Sequence, residues 1–177
     1  MVGAPSAGAD AAGLQVQAQR SHAQCPLAGQ DERSLLIDNA AQWRATLAAD
    51  ETQALGRAVD WRHERVLVHA LAQQPTLGVR VAAVALGPQP AGASPPLGLR
   101  ITRPAADSMA ATALSRPCVV VAVARGGWRA LRLVDADAPG RTLAQATIGT
   151  PRAAGDPIAT PMPSTELMKP VAPAASK

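Results

Sequence analysis

Arg65-Val66-Leu67-Val68-His69-Ala70-Leu71-Ala72, then Gln73-Gln74-Pro75-Thr76-Leu77-Gly78, then Val79-Arg80-Val81-Ala82: two apolar runs of strand length with a Pro/Gly loop between them. Successive side chains of a strand point to opposite faces, so Val66, Val68 and Ala70 share one face and Leu67, His69 and Leu71 the other. Both faces are mostly apolar, which predicts a central strand covered on both sides. In the loop Pro75 fixes φ, Thr76 offers a hydroxyl and a methyl, and Gly78 permits a turn or a close backbone approach. The reading is a stiff, shaped tip, either a plain hairpin turn or a contact surface.

Outward from this stretch, Val79 to Leu86 reads as a strand and Gly87 to Pro96 as a turn or exposed loop. Leu97, Leu99 and Ile101 alternate with Gly98, Arg100 and Thr102 as a half-buried strand should. Cys118 to Ala124 is a second continuous apolar run. Gly126-Gly127 predicts a hairpin from it into Arg129 to Val134, because glycine accepts the positive φ of two-residue turns. Upstream, Ser34 to Ile37 is a short strand, and Asp38 or Asn39 can cap a helix over Ala40 to Ala49 with Trp43 and Leu47 on one face. These elements predict an α+β, mainly antiparallel β fold: a small sandwich or half-barrel of five to six strands with one short helix.

A chain of 177 residues suits one domain with tails. Residues 1–32 are expected to be a disordered N-terminal segment, 33–137 the β domain, and 138–177 a disordered Pro/Ala-rich tail. Phe and Tyr are absent, so the core must be built from Val, Leu, Ile and three Trp. The net charge is +4, with 15 Arg scattered singly rather than in a run. Without a basic stripe and aromatic stacking partners, nucleic acid is not an expected ligand.

No apolar stretch approaches the roughly 20 residues a membrane-spanning helix needs, so no membrane span is expected. Met1 to Gln24 lacks a basic start and an apolar core, yet Val16-Gln17-Ala18 is a small-x-small triplet of the kind a signal peptidase reads. The expectation is an exported, periplasmic protein whose signal lies upstream of Met1. Cys25 and Cys118 are too far apart in sequence for CxxC redox or zinc motifs. Two readings stay open: a buried Cys118 beside an unrelated Cys25, or a disulfide tying the N-terminal segment to a core strand.

The reactive side chains form no catalytic constellation. His69 sits mid-strand on an apolar face as a satisfied core or edge histidine, His63 lies in a charged connector, and His22 falls in the N-terminal segment. Asp60, Glu64, Asp107, Asp135 and Asp137 are at strand ends and turns, where acids usually face solvent, and receive no role. There is no nucleophile elbow, and Gly126-Gly127 is too short to cradle a nucleotide, so no catalytic residue, metal or cofactor is expected. The remaining candidates are the loop Gln74, Pro75, Thr76, Leu77 and Gly78, and the rigid, partly polar edge Arg116-Pro117.

The order of strand, Gln73 to Gly78, strand, Pro/Gly loop, Leu99 to Pro104, and Arg116 to Val123 resembles the PrcB C-terminal domain family over about residues 66–123. Pro75, Thr76 and Gly78 keep that family's loop signature, while Leu77 and Val79 stand where it has Gly and Tyr. The resemblance implies a noncatalytic, exported accessory or interaction domain with a protein partner, a protease or envelope complex among the candidates. A fainter likeness is to chagasin-type cysteine-protease inhibitors, echoed by Gln74 to Gly78 and by Arg116-Pro117-Cys118, with Cys118 in the place of a Trp. That likeness implies, as the alternative, an inhibitor that wedges the two segments side by side into a protease cleft.

Overall fold

The Glu64–Ala70 strand is buried along its whole length, and Cys118–Ala124, paired antiparallel beside it, is buried up to its last residue. A computed structural model describes residues 13–87, 94–105 and 112–148 and shows why. In chain order the elements are β1 (Val16–His22), β2 (Arg33–Ile37), α1 (Ala40–Thr46), α2 (Glu51–Leu55), β3 (Glu64–Ala70), β4 (Arg80–Val84), β5 (Pro96–Thr102), β6 (Cys118–Ala124), β7 (Ala130–Asp135) and β8 (Thr142–Thr147). One sheet has the order β1-β6-β3-β2 and is antiparallel throughout. The other has the order β4-β5-β7-β8, with β5 and β7 parallel.

The inner faces of the two sheets share one apolar cluster. Leu67, Val119, Val121 and Val123 meet Val81, Leu97, Leu99, Leu131 and Leu133 there. The alternate residues of the first sheet, Val66, Val68, Ala70, Val120 and Ala122, pack on Trp43, Leu47, Ala54 and Leu55 of the helical segment. Three layers result, and β3 and β6 lie in the middle one. A strand covered on both faces has no polar side to show, so its sequence is a continuous apolar run rather than an alternating one.

Asn39 caps α1 by accepting from the Gln42 amide, and Trp43 is buried, as the helix reading requires. The helix stops at Thr46, however, because Leu47 turns extended and bridges to Leu27. A second helix follows, started by a reciprocal capping box between Asp50 and Gln53.

The fold is mainly β with two small helices, and eight strands lie among the described residues rather than five or six. The two additions fall where disordered tails are expected. Residues 16–22, including the Val16-Gln17-Ala18 triplet, form β1 on the edge of the first sheet, and residues 142–147 form β8 on the edge of the second. Edge strands gain their stability from ladder hydrogen bonds and can be polar on the open face, so neither segment carries an apolar pattern. Residues 1–12 and 149–177 lie outside the described residues, as does most of the Gly87 to Pro96 loop.

The Gly126-Gly127 hairpin is a further correction: β6 and β7 belong to different sheets, and the glycines carry the chain from one to the other. Trp128 folds back on this crossing. A Cβ at residue 126 would lie 2.6 Å from the Trp128 Nε1, and the Arg65 guanidinium stacks 4.8 Å from the Trp128 ring.

The open edges of the sandwich are tied by a side chain at one edge and by a backbone bridge at the other. Gln19 of β1 donates to the Ala83 carbonyl at 3.0 Å and accepts from the Ala83 amide at 2.8 Å, acting as a substitute backbone for β4. At the opposite edge Leu36 and Ile148 form a single bridge between β2 and the end of β8.

Candidate functional site

The loop that joins the two deciding runs is not a hairpin either, since β3 and β4 lie in opposite sheets and residues 71–79 cross between them. The crossing is held against residues 115–117. Gln74 and Ser115 exchange backbone hydrogen bonds of 2.7 and 2.9 Å, the Ser115 hydroxyl donates to the Thr76 carbonyl at 2.8 Å, and the Leu71 amide donates to the Pro117 carbonyl at 2.9 Å. Gly78 adopts φ +93°, and a Cβ there would meet Pro104 Cγ at 3.0 Å. A side chain at this position would be strained by conformation and by contact alike.

Pro75, Leu77 and Gly78 are exposed, while Gln74 and Thr76 are half-buried. Leu77 at 36% and Leu114 at 63% are the exposed large hydrophobic residues among the described ones. They flank the Thr76–Ser115 hydrogen bond, one on each segment, so the clamped rim carries both.

Arg116 and Pro117 are brought beside the loop, as a two-segment surface requires, but they face inward. Arg116 is 7% exposed; its guanidinium donates to the carbonyls of Leu27 and, at 3.0 Å, Asp31. Its backbone bonds to Ala23 and Cys25. Residues 23–31 form no regular strand; the carbonyls of Ala23, Pro26 and Gln30 accept from backbone amides, and the buried guanidinium supplies the donors for those of Leu27 and Asp31. The expected polar edge is therefore an internal clasp. Next to it Cys25 and Cys118 form a disulfide with Cα atoms 5.4 Å apart, which decides between the two readings of the cysteines.

Below the loop a cleft of about 330 Å³ is lined by Glu32, His69, Gln74, Arg103 and Arg141 together with Ile101. Arg103 donates to the Gln74 side-chain oxygen at 3.2 Å. His69 is 1% exposed, and its Nδ1 shares a 2.8 Å hydrogen bond with the Ser34 hydroxyl. It is thus a satisfied histidine within a strand, as its neighbours in sequence predict. Burial pushes its pKa below the ordinary 6.5, against a smaller opposing pull from Glu32.

The sign of the resulting pH effect follows by linkage. The unfolded chain takes up this proton near pH 6.5, whereas the native state holds His69 neutral to lower pH. Stability present above that range is therefore lost as pH falls through it toward the native pKa. Urea midpoints measured from about pH 7 down to about pH 5 should fall, with Glu32, Arg103 and Arg141 the charged groups facing the ring. His69→Asn should flatten the slope; an unchanged slope in that variant would assign it elsewhere.

Apart from Glu32, the other histidines and acids among the described residues do not line this cleft. His63 is exposed and pairs with Asp60 at 2.8 Å, which holds the Asp60 carboxyl below its usual range. Glu64 is buried rather than solvent-facing. It receives a two-pronged hydrogen bond from Arg57 at 2.6 and 3.0 Å, which lowers its pKa. The hollow lined by Asp60, His63, Glu64 and Arg125 contains no hydroxyl or thiol to act as a nucleophile. His22 belongs to β1 and contacts the Ala54 carbonyl at 2.8 Å. Asp137 pairs with Arg100 at 3.0 Å and takes its own amide bond to Asp135. Asp107 lies outside the described residues.

Leu114, Arg103 and Arg141 were not legible as site residues. Each is a single side chain in a segment without periodicity, and only the meeting of three distant segments gives them a common surface. Among the described residues no helix is long and apolar enough to cross a membrane. Searches with the chain found no matching family model, curated protein or solved structure.

Proposed function

We propose that this chain is a noncatalytic protein-interaction domain whose contact surface is the rim formed by Gln74 to Gly78 together with Leu114. One observation carries the reading: the exposed large apolar side chains among the described residues lie on two segments that are clamped to each other by the Gln74–Ser115 backbone hydrogen bonds and the Ser115–Thr76 bond. Scattered surface leucines need no explanation, but two on one rigid rim form an anchor whose ordering cost is already met in the free protein. The disulfide favours an oxidising, exported setting. The likeness to PrcB-type domains over Pro75, Thr76 and Gly78 leans toward a protease or envelope complex as the partner.

The inhibitor reading draws on one fact, the adjacency of the loop and residues 114–117. With Arg116 and Pro117 turned inward, the second edge of such a wedge would be Leu114.

The test is capture from an envelope fraction by wild type and by Leu77→Asp/Leu114→Asp. Both positions are exposed, so the melting temperature should hold, while the retained partner should fall by about tenfold or more. Equal retention by the two proteins removes this rim as the contact surface. Inhibition of a papain-type protease that is lost in the same variant would favour the second reading.

A further inference from the structure

We propose that the cleft beneath the rim binds a carboxylate, an acidic side chain or chain terminus carried by the same partner segment that covers Leu77 and Leu114; this rests on the interaction reading. Arg103, just past the end of β5, and Arg141, just before β8, line one concavity although β5 and β8 are not neighbours in the second sheet. Arg57, Arg65, Arg100 and Arg125 each meet a carboxylate, whereas among the described residues Arg103 meets only an amide oxygen and Arg141 no side-chain partner. Two guanidiniums against one carboxylate, Glu32, leave the lining with a single excess positive charge.

That balance selects the ligand. A monoanionic carboxylate neutralises the excess and can be held by planar two-pronged hydrogen bonds from a guanidinium. A dianionic phosphate would leave a charge facing Glu32. Two like charges placed on one concavity focus the field there relative to an isolated surface arginine. The volume of about 330 Å³ is at the small end of ligand sites and suits one side chain rather than a nucleotide. Gln74 connects the two parts of the surface: its backbone holds Ser115 beside Leu114, and its side chain holds Arg103 over the cleft.

The experiment is a titration of the ¹⁵N-labelled full chain with the peptide N-acetyl-Leu-Ala-Leu-Glu-amide, whose Glu side chain is its single carboxylate, followed by amide shifts. The control is the same amidated peptide with Gln in place of Glu. Shifts at the cleft and rim are expected with the acidic peptide, about tenfold weaker for the neutral one or for Arg103→Gln/Arg141→Gln. The affinity should also decline with salt. Both arginines are exposed, so an unchanged spectrum of the free variant will establish that it is folded. Equal binding of the acidic and neutral peptides at Leu77 and Leu114 overturns the carboxylate site while leaving the contact surface standing. Absence of shifts with either peptide also overturns it, and the envelope capture then judges the contact surface by itself.

Discussion

Replacing Cys25 with serine is expected to lower the unfolding free energy by about 4 kcal/mol, the largest effect of any single change outside the core. The bond closes a loop of 93 residues, and the chain entropy that a cross-link removes from the unfolded state grows with loop length. It also does local work, because residues 23–31 contain no regular strand and are held by the disulfide, the Arg116 backbone and the Arg116 side chain. Cys25 is the better site to change: Cys118 is fully buried in the helix-facing core, where a serine would add an unpaired hydroxyl to the cost. Denaturant unfolding of wild type with and without reductant should reproduce the variant's loss. A wild-type midpoint that does not move under reductant would show that the bond contributes nothing to stability. Against a total stability of 5–15 kcal/mol typical of small domains, a loss of about 4 would leave little margin in a reducing compartment.

Arg116→Met should cost about 3 kcal/mol, as measured by the same unfolding. The methionine fills most of the aliphatic volume but leaves the Leu27 and Asp31 carbonyls without donors. This variant separates two roles that proximity to the loop confuses. As an internal clasp, Arg116 affects the fraction folded and leaves partner capture per folded molecule unchanged. Capture that falls while stability holds would return Arg116 to the contact surface.

The middle of the fold was legible because its physics is local. A strand covered on both faces must be apolar on both, and Val66 to Leu71 and Cys118 to Ala124 have no other reading. A helix start at Asp38 or Asn39 and a buried Trp43 were legible too, whereas Leu47, read on the same helical face, lies just past the helix in extended conformation. The second helix was announced by Asp50 and Gln53, a capping-box spacing that the reading passed over.

The candidate site was half legible. Gln74 to Gly78 stood out for its rigidity, and Gly78 does occupy a conformation and a contact that only glycine tolerates. Its other half depends on which segments lie beside it. Arg116-Pro117 was rightly expected near the loop and wrongly expected on the surface, since nothing in its own sequence reveals that carbonyls of residues 27 and 31 would need its guanidinium.

The sequence by itself determined the apolar strands, the first helix cap and the stiff loop, because each follows from side-chain periodicity or from the dihedral limits of one residue. Tertiary structure decided that β3 and β4, and likewise β6 and β7, part into different sheets. It also recruited Val16–His22 and Thr142–Thr147 as edge strands, joined Cys25 to Cys118, and gathered Leu77, Leu114, Arg103 and Arg141 at one end. Those outcomes are fixed by hydrogen-bond partners and charges supplied from distant parts of the chain, which leave no mark on the residues nearby.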